Sequence, residues 1–185
     1  SFSVGEAISI TANQDNFAQG LGNQAGSTTA SATLTANNAT NQATRYYYLY
    51  LDISENEFTH TIDSNTPELL LTIIDPEGNP VTALSGLSYK ENVTTNVTDG
   101  EAQVISGFDI TTQTGLITLA ANYEITATET PTIQEWNVTV TFVNLDSDQE
   151  GNTDKTFNAS LIIREEVLPT TLAEVCPDGG NLVEC

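Results

Sequence analysis

Two runs of alternating apolar and polar residues lie within residues 136–164 and constrain the fold more than any other feature. They are WNVTVTFVNL and KTFNASLIIR, separated by the polar stretch DSDQEGNTD, and only Ile162 breaks the second run. An extended strand turns successive side chains to opposite faces, so each run predicts a strand with one apolar face. These faces hold Trp136, Val138, Val140 and Phe142 in the first strand, and Phe157, Ala159, Leu161 and Ile163 in the second. Each such side chain contributes about 1.5–3 kcal/mol when fully buried, which predicts two core strands joined as a hairpin.

The rest of the chain favours strands over helices. Met is absent, Lys and Arg together number 4, and Thr, Asn, Ser and Val are abundant. Thr and Val suit strands, whereas Asn and Ser suit turns. Nine or ten strand-like runs with turn signals between most of them predict an all-β antiparallel β-sandwich of jelly-roll or Greek-key type. We expect one domain over residues 1–167, with residues 168–185 as a C-terminal tail.

The charge balance limits the classes of partner. The chain has 25 Asp and Glu residues against 4 Lys and Arg, a net charge of −21. Nothing in it could neutralise phosphates, so we expect no nucleic-acid partner, and an anionic membrane surface is disfavoured. No apolar run approaches the length of a transmembrane helix. Because the sequence starts at Ser1 without Met, we expect a mature exported protein at the cell surface whose targeting segment has been removed.

The N-terminal stretch predicts a strand that could detach. Residues 1–12 read SFSVGEAISITA, with a slip in the alternation near Gly5, and a Gly-rich, turn-rich loop follows at residues 13–27. The apolar residues that would make contacts are Phe2, Val4, Ile8 and Ile10.

A tyrosine stripe accompanies the strand predicted at residues 45–54. Tyr47, Leu49, Leu51 and Ile53 share the predicted core face, and Tyr46, Tyr48 and Tyr50 share the outer face. Exposed aromatic side chains bind sugars by ring stacking or seat a neighbouring subunit. Alternatively, a loop or the chain's own N-terminal segment covers them.

Other segments give simpler expectations. ELLLTII at residues 68–74 predicts a strand buried on both faces, and Asp75, Pro76 and Gly78 predict the turn that follows. Residues 88–100 are polar and predict an exposed loop. Further strands are predicted at residues 28–36, 58–62, 81–87, 103–111 and 116–127.

The acidic loop after the Trp136 strand resembles part of a calcium-binding loop. Oxygen-bearing side chains occur at every second position, and Gly151 stands where an EF-hand loop turns sharply. Phe157, however, occupies the twelfth position, where a bidentate Glu is needed. The loop is therefore either a weak calcium site of millimolar affinity or a plain acidic connection. The candidate ligands are Asp146, Asp148, Glu150, Asn152 and Asp154; no other cofactor is expected.

Cysteines and sequons suggest covalent modifications. Cys176 and Cys185 enclose eight residues, and in a secreted protein such a pair predicts a disulfide closing a small loop. Alternatively, both thiols are free or the native chain continues beyond Cys185. Five N-x-S/T sequons occur, and they matter where the host glycosylates. They are Asn38, Asn92, Asn96, Asn137 and Asn158.

Catalysis finds little support. His60 is the sole His, no Ser or Cys motif surrounds it, and the carboxylates are too numerous to single out a pair. We expect a protein that is not an enzyme.

A resemblance covers most of residues 45–185. EWNVTVTFVNLDSDQEGNTDKTF, with YYYLYLDISENEFTHTIDSNTPELLLTIIDPEGNPV before it and TLAEVCPDGGNLVEC after it, resembles uncharacterised exported surface proteins of Gram-positive-type bacteria. Such proteins generally carry an N-terminal membrane-targeting segment. More remotely, the start SFSVG and the Thr/Asn-rich sandwich are similar to camelysin/TasA-type biofilm fibre proteins and archaeal bundling pilins. In that group an extended N-terminal strand completes the sandwich of the next subunit.

Three functions follow from these features. The first is a structural subunit of an extracellular filament or pilus, in which residues 1–12 are donated to another copy of the chain. The second is a monomeric adhesin or carbohydrate-binding module that uses the tyrosine stripe, with a glycan as partner. The third is a phage or virion surface protein.

Overall fold

The computed structural model describes residues 3–11, 27–37, 43–96 and 102–166, and these form two antiparallel β-sheets. The strands are β1 (Ser3–Thr11), β2 (Ser27–Asn37), β3 (Ala43–Asn56), β4 (Leu69–Ile74), β5 (Tyr89–Asn96), β6 (Ala102–Asp109), β7 (Gly115–Ala127), β8 (Thr132–Phe142) and β9 (Phe157–Glu166). The larger sheet has the order β1-β2-β8-β4-β6-β5, and the smaller one the order β7-β3-β9. The predicted all-β antiparallel sandwich is confirmed.

Alternation along β8 and β3 builds the core. The predicted inward residues of β8 are all buried, as are those of β3, where Leu49 is fully enclosed. They pack with buried side chains of β2, β4, β6, β7 and β9 into one hydrophobic cluster between the sheets. The face assignment made from period-2 patterning is therefore confirmed for both strands.

The predicted pairing of the two strands in residues 136–164 is wrong. β8 lies between β2 and β4 in the larger sheet, whereas β9 pairs with β3 in the smaller one. Both strands point their apolar residues into the same core, but from opposite sides. Alternation sets which face of a strand is buried and carries no information about its neighbour. The acidic loop is therefore an arch between the two sheets.

An aromatic cluster near the start of β8 contains the largest buried side chains. The Trp136 ring meets the Tyr123 ring edge-on, with centroids 4.8 Å apart, and Tyr47 lies 5.6 Å from Tyr123. Trp136 Nε1 donates a 2.7 Å hydrogen bond to the Tyr47 hydroxyl, which donates in turn to Gln134 Oε1 at 2.7 Å. Every polar group in this series of hydrogen bonds is thus paired. Burial raises the pKa of the Tyr47 hydroxyl well above its ordinary value, although the hydrogen bond from Trp136 acts in the opposite direction.

The β5–β6 hairpin forms the far edge of the larger sheet. β6 pairs with β4 only through Leu70 and Leu71, and the backbone N–H groups of Asn96 and Asn144 each find a partner in the other segment. The end of β5, at Thr95 and Asn96, therefore lies against the segment after β8. The exposed loop predicted over residues 88–100 is wrong for β5, because an edge strand with one solvated face has the polar composition of a loop.

Two further predicted strands are absent, and one predicted turn is present. Residues 58–62 and 81–87 form no strand. Side-chain hydrogen bonds hold the first segment. The second begins beside an isolated bridge between Pro80 and Ile74, where the Val81 N–H donates to the Ile73 carbonyl at 2.9 Å. The turn after β4 is confirmed: Gly78 has a φ of +86°, and Asp75 Oδ1 accepts the N–H groups of Glu77 and Asn79.

Candidate functional site

β1 forms one edge of the larger sheet, and its described backbone pairs with β2 alone. Val4 lies opposite Ala36 and Ile8 opposite Leu34, so four residues of β1 span two residues of β2. This register shift confirms the slip predicted near Gly5. A strand with a single ladder and an irregular register is anchored less firmly than an inner strand that pairs on both sides.

β2 would become the edge if β1 left. Its inward side chains Ala32, Leu34 and Ala36 are buried, and its other side pairs with β8 from Ser27 to Ala36. Residues 12–26 connect β1 to β2, a connection much longer than the roughly two to five residues of an ordinary hairpin. The sheet therefore has a strand that is joined to its neighbour by one ladder and a long tether.

The tyrosine stripe lies on the outer face of the smaller sheet, on its central strand. Tyr46, Tyr48 and Tyr50 are half-buried, as the alternation of β3 predicts. Around them lie the half-buried Ile162 of β9, which pairs with Tyr50, and the exposed Leu116 at the end of β7. The face therefore combines aromatic and aliphatic surface.

The rings of this stripe are packed against one another. Tyr48 and Tyr50 stack with centroids 5.9 Å apart and planes inclined by 6°, and the Arg164 guanidinium lies 6.0 Å from the Tyr50 centroid. Each of the two rings therefore turns a face toward the other. The stack engages one face of each ring, so the stripe stays a candidate contact surface for a protein or a glycan.

The acidic loop turns amides inward instead of gathering its carboxylates. Gln149 and Asn152 are buried, while the carboxylate-bearing candidates Asp146, Asp148, Glu150 and Asp154 are exposed. Over the described ranges, no group of three or more His, Cys, Asp or Glu side chains is placed to hold a metal ion. Calcium binding by this loop stays a prediction from sequence, and the inward position of Asn152 gives it no support.

The inward amides meet a buried carboxylate that the sequence reasoning missed. Glu68 is fully buried, and its Oε1 accepts hydrogen bonds from Gln149 Nε2 at 2.8 Å, Asn152 Nδ2 at 3.0 Å and Thr61 Oγ1 at 2.8 Å. The backbone N–H of Thr61 donates to Oε2. Four neutral donors offset the several kcal/mol that burying a bare carboxylate would cost. Glu68 thereby ties the segment after β3 to the arch after β8.

A signal for this network was present in the sequence. Glu68 directly precedes LLLTII, a run that the sequence already predicts to be buried on both faces. A carboxylate in such a position must find donors, and loop Asn and Gln residues are natural suppliers. Which loop supplies them depends on the arch, and the arch follows from strand order, which the sequence does not show.

A second series of side-chain hydrogen bonds holds the segment between β3 and β4. His60 Nε2 lies 3.0 Å from Asp109 Oδ2, and the Thr111 hydroxyl donates to Asp109 Oδ1. Thr111 Oγ1 also accepts the backbone N–H groups of Glu68 and Leu69 at 2.9 and 3.1 Å. The sole His thus has a structural role at the end of β6, where it contacts Asp109.

Several predicted features lie outside the described residues. They are Phe2, Asn38, most of the Gly-rich loop, the tail and the predicted Cys176–Cys185 disulfide. For β1 the backbone is described, so Val4, Ile8 and Ile10 are placed by register alone.

In the part of the chain that the structure describes, no helix has the length and apolar character needed to span a membrane.

Comparisons with known proteins add no relative. No protein-family model matches the chain, and no significant match is found among curated proteins or solved structures.

Proposed function

We propose that this chain is a structural subunit of an extracellular filament, in which β1 of one copy pairs with β2 of the next. The observation that carries the proposal is the position of β1. It lies at a sheet edge, its described backbone pairs with β2 alone, and residues 12–26 connect the two strands. A strand donated from another copy would meet the same β2 backbone and the same core.

Exchange of β1 changes few interactions. The hydrogen bonds to β2 and the apolar contacts are alike whether β1 comes from the same chain or from a neighbour. The two arrangements therefore differ mainly in the entropic cost of closing the connection between β1 and β2. That cost rises by only about 0.6 kcal/mol per doubling of loop length. Because each copy gives one strand and receives one, the contact is heterologous and continues into a fibre unless it closes into a ring.

The surface charge makes this mode of association suitable. A net charge of −21 causes copies to repel each other. Main-chain pairing is neutral and needs no complementary charges, so it can link acidic subunits where a salt-bridged interface could not. We expect assembly to strengthen as salt rises, because salt screens the repulsion.

A crosslinking experiment tests the proposal directly. Ser9 and Thr33 are paired across β1 and β2, so Ser9→Cys with Thr33→Cys places a disulfide between the two strands. Cys176 and Cys185 are replaced by Ser in the same chain. The control pair is Thr44→Cys with Thr126→Cys, since these hydroxyls lie 3.1 Å apart within the body of the sandwich.

The two pairs give different products if strands are exchanged. In assembled material, the Ser9/Thr33 pair should give a ladder of covalent multimers on a non-reducing gel, and the Thr44/Thr126 pair only monomers. If the disulfides of the Ser9/Thr33 pair in fibres form only within single chains, strand donation is excluded. Removal of residues 1–12 should abolish fibres in negative-stain micrographs, and fibres from the truncated chain would refute the proposal.

A further inference from the structure

Four sequon asparagines fall among the described residues, and three of them begin the same tripeptide. Asn92, Asn96 and Asn137 each begin N-V-T, whereas Asn158 begins N-A-S. A difference in reactivity among the three identical sites must therefore come from the fold. The sites differ in the exposure and the hydrogen bonding of their Asn side chains.

Three of the four side-chain amides are already engaged. Asn96, Asn137 and Asn158 are half-buried, and each donates its amide N–H to an acceptor within the sandwich. The acceptors are the Asn144 carbonyl for Asn96, Glu135 for Asn137 and Glu55 for Asn158, at 3.1, 3.2 and 2.8 Å. Asn137 also lies on an inner strand, paired with both β2 and β4. A modifying enzyme could reach it only by dismantling the sheet.

Asn92 differs in each respect. It is exposed on the edge strand β5, and among the described residues nothing accepts a hydrogen bond from its side-chain amide. The pairing of β5 with β6 is interrupted between Lys90 and Val93, and Asn92 has a φ of +55°. Its backbone N–H donates to Ser106 Oγ at 3.0 Å instead of to a ladder partner. The sequon therefore stands out from the sheet at a bulge.

A transferase that acts on the folded chain needs such an exposed sequon. The amide nitrogen of Asn attacks the anomeric carbon of a sugar carried on a lipid diphosphate. A C–N bond forms, the bond from the anomeric carbon to the diphosphate oxygen breaks, and the amide proton passes to a base of the transferase. The enzyme must hold the Asn amide and the Thr hydroxyl of the sequon together, and Thr94 is exposed as well. No ladder hydrogen bond of Asn92 has to break for this approach.

We propose that Asn92 is the N-glycosylation site of the described part of the folded chain, with a lipid-diphosphate-linked oligosaccharide as the donor. A glycan at this position covers the edge of β5, which lies at the opposite end of the sheet from β1. Exposed edges are sites of unwanted strand pairing, so the glycan leaves strand addition to the β1 edge. The site itself does not depend on filament formation.

The test uses the folded, full-length chain and a purified single-subunit oligosaccharyltransferase with no requirement for an acidic residue before the sequon. Synthetic peptides carrying each sequon are glycosylated in parallel, and the occupancy in the protein is divided by that of the peptide. A glutamate-specific protease suits a chain with only 4 Lys and Arg. Electron-transfer fragmentation then separates Asn92 from Asn96, which share the peptide between Glu91 and Glu101.

We expect the normalised occupancy of Asn92 to exceed that of Asn137 by about tenfold or more, because exposure of an inner strand requires extensive opening. Asn92→Gln should remove the added mass from the peptide between Glu91 and Glu101 and leave the fold intact. A folded chain that stays unmodified at Asn92 while its peptide reacts would overturn the proposal. Equal or greater normalised occupancy at Asn96, Asn137 or Asn158 would do the same.

Discussion

Two buried polar centres lie at opposite ends of β8, and they are built in different ways. Near its start, Trp136 and Tyr47 share a hydrogen bond between two strands inside an apolar cluster. Beyond its end, Glu68 accepts four hydrogen bonds, and all of its donors lie outside the strands. The first centre holds neutral groups, whereas the second holds a carboxylate.

This difference affects both stability and predictability. A neutral hydrogen bond adds about 0.5–1.5 kcal/mol net, while a buried carboxylate depends on every donor that faces it. The strand-borne centre follows from alternation, because Trp136 and Tyr47 are both predicted to point inward. The loop-borne centre depends on which segments meet. Substitutions at the Glu68 centre should therefore have larger effects than those at the Tyr47 centre.

Asn152→Asp should cause the largest loss. The new carboxylate oxygen would replace Nδ2, which lies 3.0 Å from Glu68 Oε1 and 2.8 Å from the Thr59 carbonyl. Two acceptors and a second negative charge would then meet in a buried site. We expect the free energy of unfolding, measured by urea denaturation, to fall by about 3–5 kcal/mol.

Asn122→Asp is the matched control for this change. Asn122 is exposed, so the same added charge should alter the free energy of unfolding by no more than about 0.5 kcal/mol. Equal losses for the two variants would mean that net charge, and not the Glu68 contact, determines the effect.

Glu68→Gln should have the next largest effect. The amide keeps the shape of the side chain but places an NH₂ group against donors, so at least one N–H loses its acceptor. The expected loss is about 2–3 kcal/mol at unchanged urea m-value. Glu124→Gln removes one negative charge at an exposed position and controls for reduced self-repulsion. If both variants have the same urea midpoint, the network contributes nothing to stability.

Strand positions and burial could be predicted largely from side-chain period. β2, β7, β8 and β9 match predicted runs, and the strand β4 is buried as its apolar composition indicates. Pairing could not be predicted, since an alternating strand fits any neighbour that shares its core. The edge strand β5 has the sequence of a loop, because its bulge and polar residues remove the periodic signal.

The candidate sites divide along the same line. The tyrosine stripe of β3 needs only strand period, so its outward position could be predicted. The inward turn of Asn152 could not, because it depends on Glu68, which lies far away in sequence and meets the arch only after the sheets have packed. Local spacing predicts Asn152 as a calcium ligand, whereas its long-range contact with Glu68 holds the Asn152 amide in the interior.

Tyr47→Phe should have a moderate effect that depends on pH. It leaves the Trp136 indole N–H without its acceptor, so we expect a loss of about 2 kcal/mol near neutral pH. Burial raises the pKa of Tyr47 in the folded state. Its contribution is therefore complete below the unfolded value of about 10 and is lost as pH rises toward the folded value. The stability difference between the parent chain and the variant should shrink above about pH 10.

Tyr48→Phe is the control for this prediction. It removes the same hydroxyl from the outer face of the same strand and should change the free energy of unfolding by no more than about 0.5 kcal/mol at any pH tested. Tyrosine absorbance and urea midpoints recorded at neutral and alkaline pH measure both quantities. Parallel pH profiles for the parent and Tyr47→Phe would contradict the role assigned to the buried hydroxyl.

Asp63→Asn should have the smallest effect, because Asp63 is an exposed carboxylate on the segment that also supplies Thr61 to the Glu68 centre. The backbone N–H of Asn65 and the hydroxyl of Thr66 donate to this carboxylate and lower its pKa. Since the folded-state pKa is the lower one, the contribution is complete above the unfolded value of about 3.9 and is lost as pH falls through the folded value. The variant lacks this charge, so it should be slightly less stable than the parent near neutral pH, although its amide oxygen still accepts the Asn65 N–H. The difference should disappear below about pH 4, because only the parent loses this contribution in acid. Urea midpoints across this range measure the effect, and an identical acid limb in the two proteins would show that solvent screening removes the contribution of an exposed carboxylate.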